Sequence, residues 1–204
     1  ENLSEGNNNF GEGTYAFVID SGVLNSTDDL NIEDNGWSKS WISGEDAFTD
    51  GNGHGTHVAG TIAAKANGKG VIGVAPGALI TSLKVFNSSG GGASYATVLD
   101  AIEYAAGIIE DNDLDKEKCV INLSLGGPLS LAIESAVKNI ASAGIQFAIA
   151  AGNSAVDVDN VSPAGAGDVE NVYTVSASDN KNKMASFSNW DDFVGDDDVD
   201  VAAP

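Results

Sequence analysis

Short apolar runs alternate along this chain with longer segments of helical spacing, and this alternation constrains the fold more than any other feature. The apolar runs, which we predict to be buried strands, are residues 15–19, 79–85, 119–123, 145–150 and 172–175. Apolar residues follow helical spacing from Tyr95 to Ile109 and from Ile133 to Ile140, before a stop at Gly144. This order predicts an α/β fold, a three-layer α/β/α arrangement with a mostly parallel central sheet and binding groups at the carboxyl ends of its strands.

The length and the charge of the chain limit its class and its partners. At 204 residues we expect a single domain over residues 1–204. Thirty acidic residues against nine basic ones give a net charge of −21, which repels nucleic-acid phosphates and anionic membrane headgroups. We therefore expect neither nucleic acid nor a membrane as a partner. The single cysteine, Cys119, lies in an apolar run, so we expect a buried and inert thiol.

Two residues early in the chain form a candidate catalytic pair. Asp20 directly follows an apolar run, which places a carboxylate at the carboxyl end of a predicted strand, where an isolated aspartate is most often a turn former. His54 begins a segment rich in small residues, at the amino end of a predicted helix. A carboxylate beside an imidazole fixes the tautomer of the ring, so Asp20 and His54 fit the roles of orienting acid and general base.

Two further features have competing interpretations. The spacing of His54 and His57 also suits two metal ligands on one helical face, but no glutamate lies between them and no other histidine or second cysteine supports a metal site. Asn153 follows the predicted strand 145–150, where its side-chain amide can donate a hydrogen bond to a developing oxyanion. The alternative for Asn153 is an ordinary Gly-Asn turn.

Taken together, four segments resemble the subtilisin family of serine proteases, in that family's order. They are residues 18–22 (VIDSG), 54–61 (HGTHVAGT), 122–127 (NLSLGG) and 150–153 (AAGN), and the match runs from about Tyr15 to Pro204. The resemblance implies a serine endopeptidase in which Asp20 orients His54, His54 acts as general base and then acid, and Asn153 donates to the oxyanion.

The resemblance also implies how a substrate binds. Ser124, Leu125 and Gly126 match the segment that pairs with an extended peptide and lines the pocket for the side chain before the scissile bond. By the same resemblance, Ala150, Ala151 and Gly152 line the other side of that pocket. A third group, Gly90, Gly91 and Gly92, matches the opposite edge of the peptide. The expected partner is therefore a protein or peptide bound as an extended strand.

A structural calcium ion is the one cofactor that the resemblance implies, and no organic cofactor is expected. Asp29 and Asn67 match positions that ligate calcium in many subtilisins, although a turn or cap role for each is the alternative. The family resemblance further implies a secreted, extracellular protein that acts as a monomer. A propeptide is left open as a further partner.

The nucleophilic serine of the family is missing from the 204 residues. It lies in a Gly-Thr-Ser-Met-Ala segment beyond a stretch resembling residues 199–204, and no Gly-Thr-Ser occurs in this sequence. We expect the C-terminal part of the catalytic domain, with the serine, to lie beyond Pro204, and we expect negligible activity from the 204 residues alone. Two other functions remain open: a noncatalytic peptide-binding module and a transpeptidase or peptide cyclase on the same scaffold.

Overall fold

The computed structural model describes residues 10–26, 28–33, 35–191 and 198–204. The chain divides into two compact units, an N-terminal unit of residues 1–120 and a C-terminal unit of residues 121–204. Within the described ranges, no helix combines the length and the apolar character that a bilayer crossing requires.

The N-terminal unit is built on parallel strands. Strand β1 (Tyr15–Asp20) pairs with β4 (Leu79–Lys84), and the short strands β2 (Asn31–Ile32) and β3 (Lys39–Ser40) pair with the other edge of β4. Residues Ala16 to Ile19 and Ile80 to Lys84 are all buried, as expected for parallel strands covered on both faces. The register sets Asp20 directly opposite Lys84, at the carboxyl ends of both strands.

Two helices belong to this unit. Helix α1 (His54–Ala63) packs its small residues Ala59 and Ala63 against the apolar side chains of β1 and β4. Helix α2 (Tyr95–Asp111) is capped at its amino end by Ser94, whose hydroxyl accepts a hydrogen bond from the Thr97 amide at 3.1 Å. The buried face of α2 follows helical spacing and comprises Val98, Ala101, Ile102, Ala105, Ile108 and Ile109.

The C-terminal unit repeats the strand and helix order. Strand β5 (Cys119–Leu123) enters it from the preceding unit, and is followed by β6 (Gly127–Pro128) and helix α3 (Leu131–Ser142). The parallel strands β7 (Gln146–Ala150), β9 (Val172–Ala177) and β10 (Val201–Ala203) pair in that order. Strand β8 (Val161–Ser162) pairs with β6 in an antiparallel fashion.

The structure contains each predicted strand and helix, with ends that differ by one or two residues. The chain after α3 turns at Gly144, where φ is 95°, so the predicted stop is correct. Sequence reasoning missed the five short strands β2, β3, β6, β8 and β10. Segments of two or three residues are too short to show a periodic pattern, and only their pairing partners define them as strands.

Candidate active site

Asp20 and His54 lie in direct contact in the N-terminal unit. Asp20 ends β1 and is only 1% exposed, whereas the side chain of His54, the first residue of α1, is 53% exposed. His54 Nδ1 lies 2.9 Å from both carboxylate oxygens of Asp20. Because Nδ1 faces the carboxylate, Nε2 is the ring nitrogen left for proton exchange with a substrate or a nucleophile.

The first turn of α1 is held by Asp50, a residue that the sequence reasoning missed. Asp50 Oδ1 accepts hydrogen bonds from Ser21 Oγ and the Gly53 amide, both at 2.8 Å. Its Oδ2 accepts from the amide and the hydroxyl of Thr56, at 2.9 and 2.6 Å. Burial raises the pKa of Asp50, but the hydrogen bonds from Thr56, Gly53 and Ser21 outweigh it, so the pKa lies below its ordinary value.

A close approach of α1 to the end of β1 explains the glycine after His54. A Cβ atom on Gly55 would lie 2.2 Å from the Gly22 carbonyl oxygen and 3.1 Å from Asp20 Cβ. The Gly55 amide instead donates to Ser21 Oγ at 2.9 Å. Any side chain at this position would push the helix, and with it His54, away from Asp20.

A buried lysine supports the turn that follows Asp20. Lys84 is fully buried, and its ammonium donates to the Ser21 carbonyl oxygen and forms an ion pair with Glu45 Oε2 at 3.1 Å. Glu45 also accepts hydrogen bonds from the amide and the hydroxyl of Ser88, at 3.1 and 2.5 Å. The Ser88 hydroxyl, followed by the Ser88 amide and the Lys84 ammonium, holds the pKa of Glu45 below its usual range against the effect of burial.

The predicted substrate edge Gly90, Gly91 and Gly92 lies in the loop before α2, within the N-terminal unit. Asn87 shapes this loop: its backbone carbonyl accepts from the Gly90 amide and its side-chain oxygen accepts from the Gly91 amide, both at 2.9 Å. Ser88, which contacts Glu45, lies two residues before the first of the three glycines.

The other predicted substrate residues line one cavity of about 650 Å³ in the C-terminal unit. The lining includes Ser124, Leu125, Gly126, Ala150, Ala151, Gly152 and the predicted oxyanion donor Asn153. It also includes residues that the sequence analysis did not assign: Gly127, Pro128, Ser154, Val156, Asn160, Val161, Ser162, Ala164 and Asn189. These lining residues carry no charged side chain, so the cavity suits an uncharged group.

The segment from Ser124 to Gly126 has the backbone needed to pair with a peptide. It continues beyond the end of β5 and precedes β6. Among the described residues, no backbone-to-backbone hydrogen bond reaches the amides or carbonyls of Ser124, Leu125 or Gly126. Unpaired backbone groups of an extended segment are those that an added strand uses.

Asn153 lies in the loop after β7, with an exposed side chain. Within the part of the chain that the structure describes, this side chain makes no hydrogen bond. The preceding Gly152 has a φ of 106°, and a Cβ atom there would lie 2.5 Å from Asn189 Nδ2. The loop therefore requires glycine at residue 152, both for its left-handed backbone and for its contact with Asn189.

The two predicted calcium ligands also lie side by side. Asn67 Nδ2 donates to Asp29 Oδ1 at 2.6 Å, and Asn67 Oδ1 accepts from the Lys69 amide at 2.9 Å. A carboxylate next to an amide is a donor set of the kind that calcium uses, so these residues fit the ion in type. Over the described ranges, no cluster of three or more His, Cys, Asp or Glu side chains could hold a metal ion.

Cys119 is buried and free, as predicted. Burial, with a smaller contribution from the charge of Asp115, raises the pKa of its thiol to about 11. A thiol with this pKa is protonated at neutral pH and is a poor nucleophile.

Comparisons with known proteins show the family of the chain. The profile of the subtilase family matches residues 11–204. Subtilisin DY of Bacillus licheniformis is 42% identical over 172 residues, which are 84% of this chain and 58% of that protein. A cuticle-degrading serine protease of Arthrobotrys oligospora is 40% identical over 196 residues, which are 95% of this chain and 43% of that protein.

A solved structure extends the comparison to the fold. The crystal structure of a cold adapted subtilisin-like serine proteinase matches 96% of this chain and 64% of its own chain, with a TM-score of 0.78 and 33% sequence identity. The predicted α/β class with a mostly parallel central sheet is thereby confirmed. The chain spans about half the length of the two relatives described above. Since the family profile covers residues 11–204, the chain belongs to the subtilase family.

Proposed function

We propose that the protein to which this chain belongs is a serine endopeptidase that hydrolyses peptide bonds in proteins through an acyl-enzyme. The observation that supports this function most strongly is the contact of His54 Nδ1 with both carboxylate oxygens of Asp20. A buried carboxylate that orients a partly exposed imidazole is the acid–base half of a catalytic triad.

The proposed chemistry uses Nε2 of His54, the ring nitrogen that does not face Asp20. Nε2 takes the proton of a serine hydroxyl as that oxygen attacks the peptide carbonyl, and then returns the proton to the leaving amine. Asp20 stabilises the imidazolium that forms between these two steps. The side-chain amide of Asn153 donates a hydrogen bond to the oxyanion of the tetrahedral intermediate. We propose that the serine itself is supplied by residues outside positions 1–204.

The substrate is proposed to bind as an extended strand. The backbone of Ser124 to Gly126, which has no backbone partner in the described part of the chain, offers hydrogen bonds that do not depend on the peptide sequence. The cavity beside it is lined by Leu125, Ala150, Ala151 and other uncharged residues, and it would take an apolar or aromatic side chain before the scissile bond. The loop containing Gly90, Gly91 and Gly92 would contact the opposite edge of the peptide.

Labelling of the nucleophile tests this function. The complete protein, with the residues that follow position 204, is treated with a fluorophosphonate and mapped by mass spectrometry, while casein hydrolysis is followed in parallel. We expect hydrolysis, together with a label on one serine outside residues 1–204 and no label in a His54→Ala variant. An active protein labelled on a serine within residues 1–204 would overturn the proposed nucleophile, and peptide binding without hydrolysis would favour a binding module. Ligated products in place of shortened ones would indicate a transpeptidase.

The remaining proposals concern calcium and the cellular setting. We propose that Asp29 and Asn67 contribute oxygen ligands to a stabilising calcium ion, in a secreted, monomeric enzyme. Adding calcium should raise the melting temperature of the complete protein, and Asp29→Asn should remove that increase. Asp28→Asn is the matched control, because Asp28 is an exposed neighbour that contacts Lys65 instead. An equal response to calcium in both variants would remove Asp29 from the site.

A further inference from the structure

We propose that Asn189 is the positioning residue that holds Asn153 in place for the oxyanion, an inference that rests on the proposed function. Sequence reasoning assigned no role to Asn189. The structure brings its side chain into contact with the loop on both sides of Asn153.

The side chain of Asn189 brackets Asn153. Its Oδ1 accepts hydrogen bonds from the amides of Ser154 and Val156, at 2.9 and 3.2 Å. Its Nδ2 donates to the Ala151 carbonyl oxygen at 2.8 Å. One amide group thus ties the residues before and after Asn153 to a common point.

Backbone contacts continue this support along the loop. The Asn189 amide donates to the Gly152 carbonyl oxygen at 2.9 Å, and the Trp190 amide donates to the Val156 carbonyl oxygen at 3.2 Å. The Ala155 amide donates in the other direction, to the Phe187 carbonyl oxygen at 3.0 Å. The loop is therefore attached to residues 187–190 at several successive positions.

The anchor is itself rigidly placed. Asn189 is 1% exposed, and its neighbour Ser188 is equally buried. The Ser188 hydroxyl accepts from the Ala177 amide and donates to the Asn189 carbonyl oxygen, each at 2.9 Å. The hydrogen bond from Ala177 to Ser188 thus connects residues 187–190 to the end of β9.

Asn153 needs this support because its own side chain has no hydrogen-bond partner among the described residues. Among the described residues, the backbone of the loop is therefore the part that positions the Asn153 amide. An oxyanion donor is effective when it is placed before the charge develops, and a displacement of about 1 Å can cost on the order of 10² in rate. The residue that fixes the backbone therefore influences turnover without touching the substrate.

The side-chain amide of Asn189 matches these contacts, because its oxygen accepts two hydrogen bonds and its nitrogen donates one. The loop presents two amide donors and one carbonyl acceptor to Asn189. A carboxylate would satisfy the two donors but would place a negative oxygen against the Ala151 carbonyl. An alanine would remove the partner of all three backbone groups, of which the Ala151 carbonyl belongs to a buried residue.

A double-mutant cycle in the complete protein tests the proposal. The variants are Asn189→Ala, Asn153→Ala and the double substitution, with kcat and KM measured on a peptide substrate and Ki measured for a peptide boronic acid that mimics the tetrahedral intermediate. We expect Asn189→Ala to lower kcat by about 10- to 100-fold with KM changed less than about twofold. The Ki of the boronic acid should rise by a factor similar to the loss of kcat. In the Asn153→Ala background the same substitution should have little further effect.

Control variants separate positioning from folding. Ser176→Ala removes a different buried polar group of the C-terminal unit, a hydroxyl that donates to the Val201 carbonyl oxygen at 3.3 Å, and should leave kcat unchanged. If Asn189→Ala does not fold, Asn189→Asp keeps both acceptor contacts and replaces the donor to the Ala151 carbonyl with a negative oxygen, and it should give the same pattern of kinetic effects.

Each outcome decides the proposal. A loss of kcat that is equally large with and without Asn153 would overturn it, because Asn189 would then act independently. An unchanged kcat in a folded Asn189 variant would also overturn it, while the proposed function would stand. A wild-type protein that does not hydrolyse peptides would overturn the proposed function and this inference with it.

Discussion

Two regions of the molecule hold a proposed catalytic residue by means of one buried polar side chain, and they differ in the chemistry of that side chain. In the first turn of α1, the Asp50 carboxylate accepts from the amides of Gly53 and Thr56 on either side of His54. In the loop after β7, the Asn189 amide bonds to residues on either side of Asn153. The amino end of a helix presents only unpaired N–H groups, so a carboxylate satisfies it, whereas the loop presents both donors and an acceptor.

The two regions also differ in how the catalytic side chain is oriented. His54 has its own partner, Asp20, so its ring is fixed directly. The Asn153 side chain, by contrast, has no partner among the described residues and depends on its backbone. Substitutions near His54 should therefore act through the imidazole itself, and substitutions near Asn153 should act through the shape of the loop.

The largest expected effect is at His54. In the complete protein, His54→Ala should lower kcat by on the order of 10⁴ to 10⁶, the range measured for triad residues in serine proteases that include subtilisin. His57→Ala is the matched control, since His57 is exposed one turn along the same helix. Steady-state kinetics on a peptide substrate measures both variants. Equal losses at the two histidines would contradict the assignment of His54.

The next largest effect tests whether His54 is oriented directly. Asp20→Asn should lower kcat by about 10⁴, because an amide at residue 20 favours the wrong ring tautomer. Asp46→Asn is the control, because the Asp46 carboxylate bonds to Phe48 and Thr49 instead. The measurement is kcat at a fixed pH for each variant. Loss of less than tenfold in Asp20→Asn would show that another group orients the imidazole.

Asn153 should contribute less than the triad pair. Asn153→Ala should lower kcat by about 10² to 10³, the cost of one oxyanion donor as measured in subtilisin, with KM nearly unchanged. The reason is that the donor interacts more strongly with the tetrahedral oxyanion than with the substrate carbonyl. A rise in KM at constant kcat would instead assign Asn153 to substrate binding.

The smallest expected effect distinguishes the charged supporting residue, Asp50, from the neutral one, Asn189. Asp50 has a lowered pKa, so its contribution to stability is present above its unfolded pKa and is lost as the pH falls through the folded value. At neutral pH, Asp50→Asn should weaken the first turn of α1 by about 2 kcal/mol, because it loses hydrogen bonds to a charged group. Hydrogen exchange of the Thr56 amide measures this opening.

The pH dependence of the same exchange completes the comparison. On acidification, wild type should approach the Asp50→Asn variant at the Thr56 amide, because protonation removes the same charge. The Ser154 amide, which bonds to the neutral Asn189, should keep its protection factor over that pH range. A parallel loss of protection at Thr56 and Ser154 would show that the two anchors do not differ in this way.

Much of the fold could be predicted from the sequence, because buried strands and amphipathic helices leave periodic patterns that local sequence displays. The five apolar runs and the helices around Tyr95 to Ile109 and Ile133 to Ile140 are examples. The placement of Asp20 at the end of β1 and of His54 at the start of α1 followed from the same patterns. Part of the cavity lining could not be predicted in this way, because Asn160, Val161, Ser162, Ala164 and Asn189 reach the cavity only when distant segments pack together.

By itself, the sequence determined the α/β class, the order of the elements, the candidate pair Asp20 and His54, and the family. Only the tertiary structure decided which residues support that pair and the Asn153 loop: Asp50, Lys84 and Asn189. Each of these is a buried polar group with at least one partner far away along the chain. The spacing of apolar residues along the sequence indicates which face of a helix or strand is buried. The partner of a buried hydrogen-bonding group is determined only when distant segments pack together.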